Sequence, residues 1–220
     1  RNSTVARCRA SSVRTVWGND SRARASTVGV NSTNASRPSR VRVASPFLLR
    51  TVAPPLSSAE GKVIRGFRRL GKRVVFELEG GPFLVVHLMV AGRFHWKDAA
   101  RAPVPKKVGL AAFDVPGATL LLTEASPKKR AALHVVGTEE ELLALSRGGV
   151  EPLEADLSAF AAALRSESHS VKRALTDPRL FSGIGNAYSD EILHAARMSP
   201  FALTRKLGGD DVARLFEATR

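Results

Sequence analysis

The segment Gly183-Ile184-Gly185-Asn186 holds the residues best suited to bind an anion. Glycines let a backbone turn tightly and come close to another molecule. A helix that starts at such a turn offers free N–H groups and a positive dipole end, which favour a phosphate. The same tetrapeptide is also typical of turns that only reverse the chain, so both interpretations stand on the local sequence.

The elements around this turn are predicted to be helices. Lys172 lies in a short helical segment that Asp177-Pro178 should end, and its amine either contacts a phosphate or is an ordinary exposed lysine. Other helices are predicted after a cap at Thr138, over the apolar positions from Leu153 to Leu164, and from Asp210 onward. Apolar residues give the helix after the turn a buried face: Ile184, Ile192, Leu193 and Ala196.

Residues 41–137 have a different sequence pattern, in which short runs of strand-forming residues are separated by turn residues. Turn signals stand at residues 79–82 and 116–117. Such spacing predicts antiparallel strands arranged as a β-sandwich. The expected strands cover residues 41–43, 47–50, 63–69, 73–78, 83–88, 92–96, 108–115, 118–123 and 131–136. The fold class is therefore α+β, with a β-sandwich domain at 41–137 and a helical domain at 138–220.

Three sites in the β half carry candidate side chains. Lys72 follows Gly71 at a loop-to-strand junction, where it either points its ammonium at a phosphate or stays solvated. His87 lies within an apolar strand, where a hydrogen-bonded core histidine is the usual explanation. The run Lys128-Lys129-Arg130 either contacts DNA or is a solvated hairpin tip.

Composition points to a nucleic-acid partner. The net charge is +14 and the isoelectric point is near 11.1, which favours binding to a polyanion. One cysteine excludes an internal disulfide, and five scattered histidines provide no metal-ligand spacing, so no metal or cofactor is expected. No apolar run approaches the roughly 20 residues of a membrane helix, and no signal peptide stands out, so a cytoplasmic location is expected.

Residues 1–40 do not match the rest of the chain. They contain eight arginines and one acid, Asp20, and no Leu, Ile, Phe, Lys or Glu. This composition cannot bury a core and predicts disorder. Our hypothesis is a reading-frame artefact joined to a genuine protein near residue 40; an arginine-rich nucleic-acid arm and a transit peptide are the alternatives.

Three separated motifs, in the right order, resemble the formamidopyrimidine-DNA glycosylase / endonuclease VIII family. The first is the basic run 68–72 before a strand, and the second is the His-Leu-x-x-Ala-Gly run at 87–92. The third extends from Lys172 through the glycine turn to a helix that ends before Pro200. Its matching residues are Lys172, Leu175, Asp177, Gly183, Ile184, Gly185, Asn186, Tyr188, Asp190, Glu191 and Pro200.

The resemblance implies a β-sandwich followed by a helix–two-turn–helix domain that acts in base-excision repair of oxidised bases. It implies that Lys72, His87, Asn186 and Lys172 contact phosphates of damaged double-stranded DNA, in a monomer associated with the nucleoid. The family attacks the sugar with an N-terminal proline amine, followed by a glutamate that moves protons, and then cleaves the strand.

The sequence departs from the family in several places. It begins Arg1-Asn2, and no Pro-Glu precedes residue 41, so no catalytic pair is identified; Lys72 is left with a possible supporting amine role. Val90 stands where the family often has the methionine that fills the gap of the flipped base, and Met89 is expected on the opposite face of a strand. The basic run at 128–130 lacks the family's aromatic residue. The family's C-terminal finger, often a zinc site, is expected to be absent.

Three functions remain open. The first is a bifunctional DNA glycosylase and abasic-site (AP) lyase, and the second is a damaged-DNA-binding remnant without the nucleophile. The third is a structural RNA-binding protein, because similar helix–two-turn–helix elements occur in a ribosomal protein; the match in the β half argues against it.

Overall fold

A computed structural model describes residues 40–43 and 45–220. The predictions for residues 1–39 lie outside this part of the chain. The described residues divide into two compact units. The β unit comprises the residues up to Arg69 with Arg73–Leu142, and the helical unit comprises Leu70–Lys72 with Leu143–Arg220. The β unit thus ends at Leu142, where the sequence predicted a boundary at 137/138, and the turn at residues 70–72 groups with the helices.

The β unit contains two four-stranded antiparallel sheets, which confirms the predicted fold class together with the helices that follow. One sheet has the order β1-β6-β7-β5 and the other the order β2-β3-β4-β8. The strands are β1 (Arg40–Val43), β2 (Ile64–Leu70), β3 (Arg73–Leu78), β4 (Phe83–His87), β5 (Gly92–Lys97), β6 (Gly109–Val115), β7 (Ala118–Glu124) and β8 (Ala132–Val136). The expected run at 47–50 is instead a 3-10 turn, Pro46–Leu48, in which Pro46 sets the backbone angle of the first turn.

Apolar side chains from both sheets meet in one core. Phe76 of β3 stacks on Phe113 of β6 with ring centroids 4.9 Å apart, and Phe94 of β5 packs edge-on to both. Aromatic pairs in these geometries stabilise a core beyond the effect of area burial alone. Because the stacked rings come from different sheets, the two sheets face each other as a sandwich.

A buried polar network ties β1 into this sandwich. The Arg42 guanidinium donates to both carboxylate oxygens of Asp114, at 2.6 and 2.8 Å, and to the carbonyl of Ala102. Thr119 donates to the same carboxylate at 2.9 Å. Burial alone would raise the pKa of Asp114, but the hydrogen bonds from Arg42 and Thr119 outweigh it and lower that pKa. The strand at residues 40–43 is thus an integral part of the sheet.

The helices are α1 (Glu139–Ala144), α2 (Leu157–Arg165), α3 (Val171–Thr176), α4 (Asn186–Ala195) and α5 (Gly209–Thr219). The Thr138 hydroxyl accepts from the Glu141 N–H at 3.2 Å, so the predicted cap of α1 is confirmed. Helix α2 starts later than its apolar pattern suggested. Asp156 caps it by accepting from Ala159 N at 2.7 Å, so Leu153 lies in the preceding turn and is exposed.

The helical unit has its own core. Phe160 of α2 packs on Phe181 and on Phe216 of α5, with ring centroids 4.7 and 5.3 Å apart. The predicted buried residues at and after the turn are confirmed as buried: Ile184, Ile192, Leu193 and Ala196. Across residues 40–43 and 45–220, no helix has the length and apolar character needed to cross a membrane.

Candidate nucleic-acid interface

The turn before α4 is held by two glycines and one buried side chain. Gly183 has φ +83°, a left-handed conformation that costs other residues energy, and the Ile184 side chain is buried. Gly185 is the extended residue before the helix, and no side chain caps the helix start. Ser189 N donates to Gly185 O at 2.9 Å, so the N–H groups of the preceding turn have no acceptor within the helix. Asn186 is exposed at this helix start.

Lys72 lies next to the same turn within the helical unit. A Cβ atom built on Gly185 would lie 3.4 Å from the Lys72 Nζ, so the ammonium packs where a side chain would otherwise stand. Gly71, at φ +58°, turns the backbone beside Ser182. Desolvation lowers the pKa of Lys72. The structure therefore brings Lys72 to Gly185, the residue before Asn186.

Lys172 is placed differently. Its Nζ donates to Asp190 Oδ1 of α4 at 2.6 Å, and both side chains are partly solvent-exposed. This ion pair connects α3 to α4 across the turn. A phosphate contact by Lys172 stays a prediction, and any phosphate there would have to share the ammonium with Asp190.

His87 and Val90 lie at the end of β4 in the β unit. His87 is the last residue of that strand, half-buried, with Arg73 and Ala132 opposite it in the neighbouring strands. The chain then turns over residues 88–92, and Gly92 N donates to Leu88 O at 2.9 Å. Val90, at the tip of this turn, is 82% exposed.

The expectation that Met89 occupies a strand is wrong. Met89 lies in the turn, with φ +56° and a side chain that is 43% exposed. A single residue in the left-handed region is what lets the chain reverse between His87 and Gly92, and a strand cannot contain it. The turn therefore presents two apolar side chains, Met89 and Val90, to solvent.

The basic run lies in the connection between β7 and β8. Lys128 and Arg130 are exposed, while Lys129 is half-buried and its Nζ donates to the carbonyl of Glu124. The Glu124 carboxylate accepts from the backbone N–H groups of Arg130 and Ala131 at 2.9 and 3.1 Å. We call residues 125–131 the basic loop.

Sequence reasoning missed the supporting residues Arg93 and Glu124, and it named Asp190 as a motif residue without its ion pair to Lys172. Arg93 donates from one nitrogen to the carbonyls of Val90 and Gly92, at 3.0 and 2.7 Å, and so fastens the turn at 88–92. The sequence feature that could have indicated Glu124 is its position as an acidic residue at the end of an apolar strand, β7. Nothing in the local sequence indicated Arg93, because an arginine in a half-exposed strand is common.

In residues 40–43 and 45–220, no group of three or more His, Cys, Asp or Glu side chains is arranged to hold a metal ion.

Two sequence models of one family match the chain. The formamidopyrimidine-DNA glycosylase N-terminal domain matches residues 23–129, and the formamidopyrimidine-DNA glycosylase H2TH domain matches residues 149–220. The first match begins inside the segment 1–40 that the sequence placed outside the family. Because the described structure starts at residue 40, a domain boundary there stays a prediction.

Curated relatives carry the same name. A formamidopyrimidine-DNA glycosylase from Thermus thermophilus is 37% identical over 166 residues, which is 74% of this chain and 59% of that protein. The one from Moorella thermoacetica is 34% identical over 180 residues, 80% of this chain and 65% of that protein. The chain thus spans less than two thirds of the length of these relatives.

Solved structures share the fold. The Lactococcus lactis protein, in a complex with DNA that contains Fapy-dG, superposes with a TM-score of 0.72 and 24% identity over 82% of this chain and 68% of that one. Its complex with DNA that contains an abasic site gives the same values. At this identity, the likeness concerns the fold.

The motifs at 68–72, 87–92 and 172–200 occur in the expected order, and the two domain models match the β and helical parts of the chain. The β-sandwich and helices match solved members of the family in fold. The chain belongs to the formamidopyrimidine-DNA glycosylase / endonuclease VIII family.

Proposed function

We propose that the protein acts in base-excision repair by binding damaged double-stranded DNA, as part of the removal of oxidised bases. The observation that carries this proposal is the turn at Gly183–Asn186, with free helix N–H groups and the Lys72 ammonium at Gly185. A phosphate placed there would receive main-chain hydrogen bonds and a positive charge. These contacts position a DNA backbone without reading its sequence.

The β unit offers a second set of contacts. His87 and the exposed Lys128 and Arg130 are suited to DNA phosphates. The exposed Met89 and Val90 form an apolar tip of the kind that enters the space left by an unstacked or flipped base. Val90 is smaller than the methionine that the family often has, so we propose weaker gap filling at this tip.

The proposal is tested by binding to three 20-base-pair duplexes of one sequence. One is intact, one contains 8-oxoguanine, and one contains a tetrahydrofuran abasic analogue. We expect tighter binding to the two damaged duplexes in fluorescence anisotropy, and a loss of about tenfold in affinity for Asn186→Ala with Lys72→Ala. Lys106→Ala with Lys107→Ala, two exposed lysines of the β unit, is the matched control. Equal affinity for all three duplexes would refute damage recognition.

Strand cleavage is a further proposal that depends on an amine. In the family, a proline amine forms a bond to C1′ as the base departs with its bonding electrons and takes up a proton. The C1′–O4′ bond of the sugar then breaks to give an imine, which permits elimination of the phosphates. No Pro-Glu pair occurs within the 220 residues, so we test the alternative of a damaged-DNA-binding protein without catalysis beside the enzyme. The Lys72 amine, whose pKa desolvation lowers, is the second amine to test.

Borohydride trapping on abasic-site DNA separates these alternatives. For the 220-residue chain, we expect no covalent adduct, while binding to the abasic analogue persists. An adduct that disappears in Lys72→Ala would assign the imine to that lysine, and an adduct that survives the substitution would assign it to another amine.

We further propose that the protein acts as a monomer on nucleoid DNA, which sedimentation in the presence of the duplex can check.

A further inference from the structure

Glu124 is a buried acid at the end of β7. Its side chain is almost completely excluded from solvent, with a relative exposure of 1% for the residue. The Oε2 atom accepts from Arg130 N at 2.9 Å and from Ala131 N at 3.1 Å. A buried carboxylate is costly unless hydrogen bonds compensate it, and here the main chain of the basic loop supplies them. If the loop moved away, the buried carboxylate would lose these two hydrogen bonds, so the side chain of Glu124 favours one position of the loop.

The backbone of Glu124 adds two more connections. Its N–H donates to Val108 O at 2.8 Å, and its carbonyl accepts from the Lys129 Nζ. Glu124 also lies opposite Gly92 in the pairing of β5 with β7. Because these strands are antiparallel, the end of β7 is next to the start of β5. The basic loop and the turn at residues 88–92 therefore leave the same end of one sheet, within the β unit.

We propose that Glu124 is the positioning residue of the basic loop. Its carboxylate fixes the main chain at Arg130 and Ala131, and the Lys129 ammonium is fixed to the Glu124 carbonyl. The side chains of Lys128 and Arg130 are left exposed, beside the turn that carries Met89 and Val90. The partner is a DNA backbone, which these two cations would meet beside the apolar tip. This inference rests on the proposed function for its DNA partner, and on the contacts of Glu124 for the positioning itself.

The sign of a charge substitution distinguishes positioning from simple electrostatics. Glu124→Gln and Glu124→Ala each remove one negative charge. If the acid acted only through its charge, its removal would strengthen binding to a polyanion. If Glu124 positions the loop, its removal weakens binding although the net charge rises.

The first measurement is amide hydrogen exchange on the full chain without DNA. In Glu124→Ala, we expect the amides of Arg130 and Ala131 to exchange about tenfold faster, while amides in the middle of β7 keep their rates. Glu124→Gln keeps one acceptor oxygen and should give a smaller increase, of about threefold. If Glu124→Ala does not fold, Glu124→Gln carries the test alone. Unchanged exchange at both amides in the folded variant would overturn the proposal.

The second measurement is affinity for the duplex that contains the abasic analogue. We expect both Glu124 variants to bind more weakly, by about threefold for Gln and more for Ala. Glu60→Gln, an exposed acid of the same unit, is the matched control for charge and should bind equally well or slightly better. Tighter binding by the Glu124 variants would overturn the positioning role. Absence of DNA binding in the unaltered chain would refute the proposed function and the DNA part of this proposal, while the exchange rates would still decide whether Glu124 holds the loop.

Discussion

The anion-binding surfaces that we propose for the helical unit and for the β unit differ in kind. In the helical unit, the donors are main-chain N–H groups at the start of α4, and their positions follow from Gly183 and the buried Ile184. In the β unit, the donors are long side chains, Lys128 and Arg130, on a loop held by the Glu124 carboxylate.

The two proposed surfaces would bind a phosphate by different means, one with main-chain N–H groups and the other with charged side chains. Main-chain donors need no side-chain ordering and are sensitive to any added Cβ atom that changes the turn. Lysine and arginine donors must lose rotamer freedom on binding, so their contribution depends on how well the loop is held. Glycine substitutions should therefore affect the two units in different ways.

Gly92→Ala should have the largest effect on stability. A Cβ atom at Gly92 would overlap the carbonyl oxygen of Leu88, which is backbone and cannot move aside without opening the turn. We expect the free energy of unfolding to fall by about 2–4 kcal/mol, measured by urea denaturation. Gly209→Ala is the control, because a Cβ there has no neighbour within 4 Å. A stability loss below about 1 kcal/mol for Gly92→Ala would mean that the turn at 88–92 is readily rearranged.

Sequence patterns predicted most of the fold because the spacing of apolar residues within a short segment is enough to indicate a strand or a helix. The strands β2 to β8, the cap at Thr138 and the buried face after the turn were all expected and are observed. The turn at Met89 was missed, since only backbone geometry reveals a left-handed methionine between two strands.

The candidate site was harder to predict than the fold. The approach of Lys72 to Gly185 and the burial of Glu124 bring together residues that are distant in sequence or that look ordinary. No local pattern encodes such contacts. The resemblance to a family could point to Lys72, but it could not indicate the partners that hold the basic loop.

Gly185→Ala should change affinity more than stability. The added methyl group would meet only the end of the Lys72 side chain, at 3.4 Å, and the flexible lysine can move. We expect a change of less than about 0.5 kcal/mol in unfolding free energy. Displacement of the ammonium from the turn should weaken binding to the damaged duplex by about threefold in anisotropy titrations. Unchanged affinity would place Lys72 outside the contact.

Asp190→Asn should lower the stability of the fold slightly and raise the affinity for DNA. The ion pair with Lys172 is solvent-exposed, so its loss should cost at most about 1 kcal/mol in urea denaturation. If Lys172 contacts a phosphate, the freed ammonium should strengthen DNA binding by about twofold at low salt. Glu191→Gln, the next acid on α4, controls for charge. Equal gains in the two variants would remove the specific role assigned to Lys172.

The smallest expected effect is on the melting temperature at low pH, through Asp177. Hydrogen bonds from the Arg179 side chain and N–H lower the pKa of Asp177 from 3.8 to about 2. Because the folded pKa lies below the usual value, the carboxylate stabilises the helical unit above pH 3.8, and this stabilisation is lost as the pH falls toward 2. Asp177→Asn should therefore lower the melting temperature slightly at about pH 5 and have little effect near about pH 2. A difference that grows as the pH falls would contradict this assignment.

The salt dependence of DNA binding tests the central claim most directly. The Lys72 ammonium beside the helix start should release about one counterion when it meets a phosphate, so Lys72→Ala should reduce the slope of log affinity against log salt by about 1. Lys106→Ala, an exposed lysine of the β unit, should leave the slope unchanged. If Lys72→Ala leaves the slope of the damaged-duplex titration equal to that of the unaltered chain, the turn at Gly183–Asn186 is not a phosphate site of the kind described.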